Sequence, residues 1–200
     1  ATSGSDTVLI LCGDTPALDP SEIAALLTDH DAAQRDLTVA SFYADNPTGY
    51  GRIVRDEADQ VLRITEERDA TDLERLIDEV NAGIYVVRRA LLDDAIAKLT
   101  PQNDQGELYL TDIVASLASE GRSVDAYVLD DPERAMGVNT RAHLVEAEWL
   151  LGSKTIADLL DAGVVVQDPT SVRIEHGVSV GPDTVLASGV QLLGKTTVGS

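Results

Sequence analysis

An acidic residue follows directly on a run of apolar residues near the start of the chain. Residues 8–12 (VLILC) are apolar without interruption, and Gly13 and Asp14 come next. Such a run is typical of a strand buried on both faces of a parallel sheet, and open α/β sheets bind their ligands at the carboxyl ends of their strands. A carboxylate there suits magnesium, which takes oxygen ligands and usually binds together with phosphates. A carboxylate that only caps a turn is the alternative, and this stretch alone does not separate the two.

Further positions have residue types that suit ligand binding. Gly49 and Gly51 precede a predicted strand, where glycine lets the backbone come close to a ligand, although a tight turn before a hairpin is the alternative. Glu66 begins a charged run of the kind usually found in a solvated loop. Asn81 lies inside a predicted strand, where asparagine is uncommon, so we expect its side chain to have a hydrogen-bond partner.

Both strand and helix patterns occur through the first two thirds of the chain. The patterns predict strands at residues 37–43, 52–54, 61–64, 79–87 and 123–129. One helix begins after Asp19, which can cap it. Further helices are predicted at residues 89–99, 107–120, 140–151 and 154–162.

A different period begins near residue 172. Aliphatic residues recur there every six positions, a spacing typical of a β-solenoid, whose coils bury their faces only by stacking; they are Ile174, Val180, Leu186, Leu192 and Val198. So short a run of hexads is not expected to form a stable solenoid by itself. The chain also starts with Ala1 rather than Met, and we expect it to be truncated at both ends.

The composition limits the classes of partner. A chain of 200 residues with 44% hydrophobic residues can bury a core, and its formal net charge of −20 argues against nucleic acid or an anionic membrane surface as partners. The single cysteine excludes an internal disulfide framework and fits a reducing compartment. No apolar stretch approaches the roughly 18 residues of a membrane span, and no signal peptide is recognisable. We therefore expect a cytoplasmic protein.

Several motifs occur in an order and spacing that resemble one family. They are CGDTP at 12–16, NPTGYGRI at 46–53, Glu66 with DAT at 69–71, EVNAG at 79–83, YLTD at 109–112 and GVN at 137–139. With the hexads, they make the chain resemble the bacterial bifunctional N-acetylglucosamine-1-phosphate uridyltransferase/glucosamine-1-phosphate acetyltransferases over essentially its whole length. The resemblance implies an α/β fold of the Rossmann-like nucleotidyltransferase class (nucleotide-diphospho-sugar transferase type), followed by a helix and the start of a left-handed parallel β-helix.

The resemblance also implies a division into domains. Residues 1–139 would form the C-terminal part of the uridyltransferase domain, residues 140–163 the linker helices, and residues 164–200 the first hexapeptide repeats of the acetyltransferase domain. The glycine-rich loop that holds the triphosphate in this family would precede Ala1, and the acetyltransferase residues would follow Ser200. We therefore expect this chain by itself to catalyse neither reaction.

Residue by residue, the resemblance implies roles in catalysis and binding. Asp14 matches the catalytic aspartate that binds Mg²⁺, and Asn139 matches the asparagine that completes the protein's share of that metal site. Cys12 and Gly13 match positions beside the nucleotide, although tyrosine or serine is expected where Cys12 stands. Thr140 stands where a second asparagine is expected. The N-acetylglucosamine moiety would be held by Gly51, Glu66 and Asn81.

By this resemblance, the complete enzyme would join UTP and N-acetylglucosamine 1-phosphate to give UDP-N-acetylglucosamine and pyrophosphate, with Mg²⁺ as cofactor. Its C-terminal part would acetylate glucosamine 1-phosphate with acetyl-CoA, and both reactions would serve the synthesis of peptidoglycan and lipopolysaccharide precursors. A homotrimer would be the expected assembly, with no nucleic-acid or membrane partner.

Two alternatives stay open. The first is another sugar-1-phosphate nucleotidyltransferase with hexapeptide repeats, acting on glucose or mannose 1-phosphate, although the NPTGYGR stretch at 46–52 and Glu66 favour the N-acetylglucosamine enzyme. The second is a catalytically silent binding or scaffold protein. A Gly-x-Gly-Thr-Arg loop encoded upstream of Ala1 would argue against that second alternative.

Overall fold

The computed structural model describes residues 6–101 and 106–199. The chain divides into two compact units, Ala1–Gly137 and Val138–Ser200. In the described ranges, no helix combines the length and the apolar composition that crossing a bilayer requires.

A mixed sheet forms the centre of the first unit. Over the described residues its strands are β1 (Thr7–Leu11), β2 (Leu37–Tyr43), β3 (Arg52–Arg55), β4 (Val61–Thr65), β5 (Glu79–Arg88) and β6 (Val124–Val128). The order across the sheet is β4-β3-β5-β2-β6. β1 also pairs with β5, next to the single residue pair that joins β3 to β5. Strands β1, β2 and β3 run antiparallel to β5, whereas β6 is parallel to β2. β5 therefore connects the two halves of the sheet, and it carries Asn81.

The predicted parallel setting of residues 8–12 is wrong. β1 runs antiparallel to β5, and its residues are partly buried or exposed rather than fully buried. Val8 and Ile10 contact one core cluster and Leu9 contacts the other, so both faces of the strand are apolar, as the sequence indicated. Apolar periodicity reports which faces are covered and carries no information on the direction of the neighbouring strand.

Helices cover both faces of this sheet. They are α1 (Pro20–Ala32), α2 (Arg89–Ala97) and α3 (Asp112–Ser119), with short 3-10 helices at Glu74–Leu76 and Pro132–Ala135. Leu37 and Val39 of β2 pack in one core cluster with Leu117 of α3, whereas Ala40 packs in the other with Leu26 of α1. Alternate residues of β2 thus face opposite helices, which gives the Rossmann-like α/β architecture that the sequence predicted.

The helix predicted from residue 107 begins later, at Asp112. Gly106 has φ +66°, a left-handed conformation that does not continue a helix. Thr111, the residue before α3, donates a hydrogen bond to Glu66. Backbone N–H groups at the start of α3 donate to carbonyls three residues earlier, as Asp112 does to Tyr109 at 3.2 Å, so turns lead into α3.

A single helix, α4 (Arg141–Asp161), begins the second unit, where two helices were predicted. Thr140 caps it as expected, since its Oγ1 accepts a hydrogen bond from the His143 N–H at 3.1 Å. Gly152 does not interrupt the helix. The Ser153 hydroxyl donates to the Leu150 carbonyl, so the polar residues after the glycine are satisfied without leaving the helix.

Short strands follow α4: β7 (Val165–Val166), β8 (Arg173–Ile174), β9 (Ser179–Val180), β10 (Val185–Leu186), β11 (Gln191–Leu192) and β12 (Thr197–Val198). Each of the first three pairs in parallel with the strand three further along the chain. Their apolar side chains pack with α4 in one cluster, whose buried members are Ile156, Val164, Val166, Val172, Ile174 and Leu186. Four of the five aliphatic residues of the six-residue period therefore face the interior of this unit: Ile174, Val180, Leu186 and Leu192.

Candidate functional site

Gly51, Glu66 and Asn81 lie together in the first unit, where β3 begins beside β5 and where β4 ends. The Asn81 N–H donates to the Gly51 carbonyl at 2.8 Å. A Cβ atom placed on Gly51 would lie 3.5 Å from Glu66 Oε2 and 3.7 Å from Asn81 Cβ. It would also lie only 2.8 Å from Ile64 Cγ2, so no side chain fits at this position without displacing its neighbours.

The two oxygens of the Glu66 carboxylate have different neighbours. The Thr111 hydroxyl donates to Oε1 at 2.9 Å, while Oε2 faces Gly51. Burial raises the pKa of the Glu66 carboxyl; the Thr111 hydrogen bond opposes this, and the charges of Asp112 and Asp69 raise it further. An acceptor of this kind suits the hydroxyl groups of a sugar.

Asn81 has the hydrogen-bond partners that its place in a strand predicted. Its Nδ2 donates to the Tyr85 hydroxyl at 2.8 Å, and its Oδ1 accepts from the Gly83 N–H at 2.9 Å. Among the residues that the structure describes, these are the partners of the side-chain amide, which leaves one N–H and one oxygen lone pair for a ligand.

The carboxyl end of β1 lies against the same part of β5. A Cβ atom on Gly83 would meet Cys12 Sγ at 2.9 Å, so the cysteine lies against the glycine that bonds Asn81. Burial raises the pKa of the Cys12 thiol, and the charge of Asp14 adds to this. Asp14 is exposed. Burial raises the pKa of Tyr50, the residue before Gly51, and the charge of Asp14 raises it further.

Gly13 continues the exposed turn between Cys12 and Asp14, with open space around its Cα. The structure thus brings six of the predicted site residues to one region of the first unit.

Asn139 lies in the second unit, Val138–Ser200, where it is exposed and its N–H donates to His143 Nδ1 at 3.3 Å. Its sharing of a metal ion with Asp14 stays a prediction.

An ion pair that the sequence did not indicate holds the loop before Gly51. Arg52 is 1% exposed, and its guanidinium donates to Glu67 Oε2 at 2.6 Å and to the Tyr50 carbonyl. The Gly49 N–H donates to the same carboxylate oxygen at 3.3 Å. The charged run was predicted to be a solvated loop, but Glu67 is a partner of a buried arginine.

A family model of nucleotidyl transferases matches residues 1–150. The chain belongs to the nucleotidyl transferase family. Curated relatives named "Bifunctional protein GlmU" support this. The protein of Pelobacter propionicus is 42% identical over 98% of this chain, that of Thermobifida fusca 42% over 96%, and that of Mycobacterium tuberculosis 43% over 96%. These matches cover 43%, 40% and 39% of the relatives, so this nucleotidyl transferase chain spans less than half of their length.

A solved structure shares the fold of this nucleotidyl transferase. It is a putative glucose-1-phosphate thymidylyltransferase from Bacillus anthracis in complex with a sucrose, with a TM-score of 0.52 and 19% identity. The match covers 72% of this chain and 54% of that one. At this identity the likeness concerns the fold alone.

The Asp14 carboxylate of this nucleotidyl transferase chain has the chemistry of a magnesium ligand. No group of three or more His, Cys, Asp or Glu side chains that could hold a metal occurs within residues 6–101 and 106–199. Magnesium needs no such cage, because it is usually bound by one or two carboxylates together with phosphates and water. The exposed Asp14 carboxylate after β1 is a suitable oxygen ligand.

Proposed function

We propose that the protein containing this chain transfers a uridylyl group from UTP to N-acetylglucosamine 1-phosphate. The observation that carries the proposal is the grouping of Gly51, Glu66 and Asn81, the residues that the resemblance assigns to the sugar. The residues that it assigns to the nucleotide and the metal, Cys12 and Asp14, border the same part of β5.

The chemistry is a displacement at phosphorus. A phosphate oxygen of the sugar phosphate forms a bond to the α-phosphorus of UTP, the bond from that phosphorus to the bridging oxygen breaks, and pyrophosphate leaves with the electron pair. Such reactions depend on positioning and on neutralising charge rather than on covalent catalysis by the protein. A bound Mg²⁺ would offset the repulsion between two anionic substrates and stabilise the developing charge.

The chain's own residues divide these tasks. Asp14 would hold the metal, with Asn139 as its predicted second ligand from the protein. Glu66 offers an acceptor to a sugar hydroxyl, and the free N–H and lone pair of Asn81 match a hydroxyl or an acetamido group. Gly51 has no side chain, so its backbone can come close to the sugar beside Glu66 and Asn81. The net charge of −20 makes a local cation important for binding a triphosphate.

We also propose that the short strands of the second unit begin a left-handed parallel β-helix built of hexapeptide repeats. The parallel pairing of β7 with β10, β8 with β11 and β9 with β12 supports this, as does the burial of Ile174 and Leu186. In the full-length protein this domain would acetylate glucosamine 1-phosphate with acetyl-CoA and assemble as a homotrimer. The expected cytoplasmic location stays a prediction.

A substrate panel tests the proposal. The full-length protein is assayed with UTP, Mg²⁺ and one sugar phosphate at a time: N-acetylglucosamine, glucose or mannose 1-phosphate. We expect pyrophosphate release to be fastest with N-acetylglucosamine 1-phosphate. A preference for glucose or mannose 1-phosphate would favour the other nucleotidyltransferase, and no turnover with any sugar phosphate would favour a silent binding protein.

A further inference from the structure

Strand β5 is distorted between Asn81 and Tyr85. Val39 of β2 lies opposite Tyr85 and Ser41 lies opposite Asn81, so two residue steps on β2 face four on β5. Gly83 lies inside this bulge with φ +73°, a left-handed conformation that favours glycine. Residues four apart in a regular strand are separated by about 13 Å, so the bulge is what brings the two side chains into contact. Bulges often re-aim side chains next to functional sites.

The contacts of the Asn81 amide fix its orientation. The backbone N–H of Gly83 can only donate, so the atom 2.9 Å from it is the amide oxygen. The amide nitrogen therefore faces the Tyr85 hydroxyl, 2.8 Å away, and that hydroxyl accepts the hydrogen bond. Without the hydroxyl, the Gly83 contact alone would hold the amide, and the side chain could rotate.

The Tyr85 side chain is too deeply buried to contact a ligand itself. Its side chain is buried in the core cluster that also contains Leu37 and Val87, and the residue is 2% exposed. Asn81 is only half-buried and borders Gly51. The hydroxyl can therefore act on a ligand through Asn81, and a hydrogen bond in such a buried place is stronger than one in water.

We infer that Tyr85 is a positioning residue, whose hydroxyl holds the Asn81 amide in the orientation that binds the sugar phosphate. The inference rests on the proposed function. Tyr85 was not among the site residues predicted from the sequence. An aromatic residue in a predicted buried strand indicates packing alone.

Steady-state kinetics of the full-length Tyr85→Phe variant test the inference, since phenylalanine keeps the ring and removes only the hydroxyl. One neutral hydrogen bond contributes about 1 kcal/mol, so we expect KM for N-acetylglucosamine 1-phosphate to rise about fivefold. KM for UTP and kcat should stay unchanged. Tyr127→Phe, on β6 of the same sheet, is the matched control and should leave all three constants as they are.

A double-mutant cycle separates positioning from packing. If Tyr85 acts through Asn81, adding Tyr85→Phe to Asn81→Ala should leave the sugar-phosphate KM of Asn81→Ala unchanged. A further fivefold rise in the double variant would overturn the inference, and so would equal rises in both KM values of Tyr85→Phe, because each shows a general loss of packing.

A measurement without turnover keeps this inference distinct from the proposed function. Absence of sugar-phosphate-dependent turnover in the unmodified protein would overturn the proposed function. Nuclear magnetic resonance would still report on the Asn81 side chain directly. The side-chain amide resonances of Asn81 should shift or broaden in Tyr85→Phe and stay in place in Tyr127→Phe. Unchanged Asn81 resonances in Tyr85→Phe would overturn the positioning role even in an inactive protein.

Discussion

Arg52 and Glu67 form an ion pair across the loop that ends at Gly51, with Arg52 Nη2 and Glu67 Oε2 2.6 Å apart. The arginine side chain is 2% exposed and the glutamate side chain 30%. Because the same carboxylate oxygen also accepts the Gly49 N–H, one acidic side chain holds both the guanidinium and the loop backbone. The position of Gly51 in the candidate site therefore depends on a residue one place beyond Glu66.

Glu67→Ala should destabilise the first unit, because it leaves a buried guanidinium without its counter-charge. Losing one partner of a buried pair costs about 3–5 kcal/mol; since Glu67 is partly exposed, we expect a smaller loss of about 2 kcal/mol in the free energy of unfolding. Urea denaturation measures it, and hydrogen exchange of residues 46–51 should become faster. Glu57→Ala, in an exposed turn of the same unit, is the control. Equal effects of the two variants would contradict a specific role of the ion pair.

Gly51→Ala should lower both stability and affinity for the sugar phosphate. The new Cβ would lie 2.8 Å from Cγ2 of Ile64, which is 5% exposed and would have to shift within the core. Overpacking of this kind typically costs about 1–3 kcal/mol. Gly152→Ala is the control, since its Cβ meets nothing within 4 Å inside α4 and alanine is the better helix former. A Gly51→Ala variant as stable as the parent would show that the site is more open than the structure indicates.

Glu66→Ala in the full-length protein should weaken binding of the sugar phosphate more than binding of UTP. The carboxylate is held by Thr111 and faces Gly51 with its other oxygen. A hydrogen bond to a charged group contributes about 1.5–3 kcal/mol, so KM for the sugar phosphate should rise about tenfold or more. Asp72→Ala, whose side chain is fully exposed, should change neither KM. Equal losses for both substrates would indicate that Glu66 is structural.

The sequence predicted the elements of the sheet better than their arrangement. Leu37–Tyr43 forms a strand with the predicted bounds, because its apolar residues are recognisable without knowledge of their neighbours. The direction of β1 and the continuity of α4 through Gly152 were not predictable, since both depend on contacts outside the local pattern. The supporting residues of the site were missed for the same reason. Arg52 is a residue type expected at the surface, and Tyr85 is one expected in any core.

The burial of His30 on α1 leads us to expect a pH dependence of stability that the sequence did not indicate. It is 1% exposed, with Nδ1 2.8 Å from Thr38 Oγ1, and its Nε2 has no hydrogen-bond partner within the described ranges. Burial lowers the pKa of His30 below its usual value near 6.5. The facing charges of Arg88 and Arg35 lower it as well.

His30→Gln should reduce the loss of stability on acidification. Asp31 and Asp36, the facing acidic groups, only partly offset the lowered pKa. The unfolded chain therefore binds the His30 proton more readily than the folded one. This contribution to stability is complete above about pH 6.5 and is lost as the pH falls below it. Melting temperatures at pH 7.5 and 5.5 should differ less for His30→Gln than for the parent protein. His176→Gln, in the second unit, is the control; an equal change in both variants would contradict the assignment to His30.

Asp14→Ala in the full-length protein should abolish uridylyl transfer and leave acetyl transfer nearly intact. The carboxylate follows β1 in the first unit, whereas the proposed acetyltransferase repeats begin in the second. Losing a metal ligand removes several kcal/mol of transition-state stabilisation, so the uridylyl rate should fall about a thousandfold.

Removing the charge should also lower the pKa of Tyr50, which Asp14 now raises, and a spectroscopic titration of the tyrosines checks this without turnover. Asp14→Asn keeps the shape of the side chain and should behave like Asp14→Ala. Loss of both activities in a folded variant would contradict separate sites, and an unchanged Tyr50 titration would place the Asp14 charge away from the Gly51 loop.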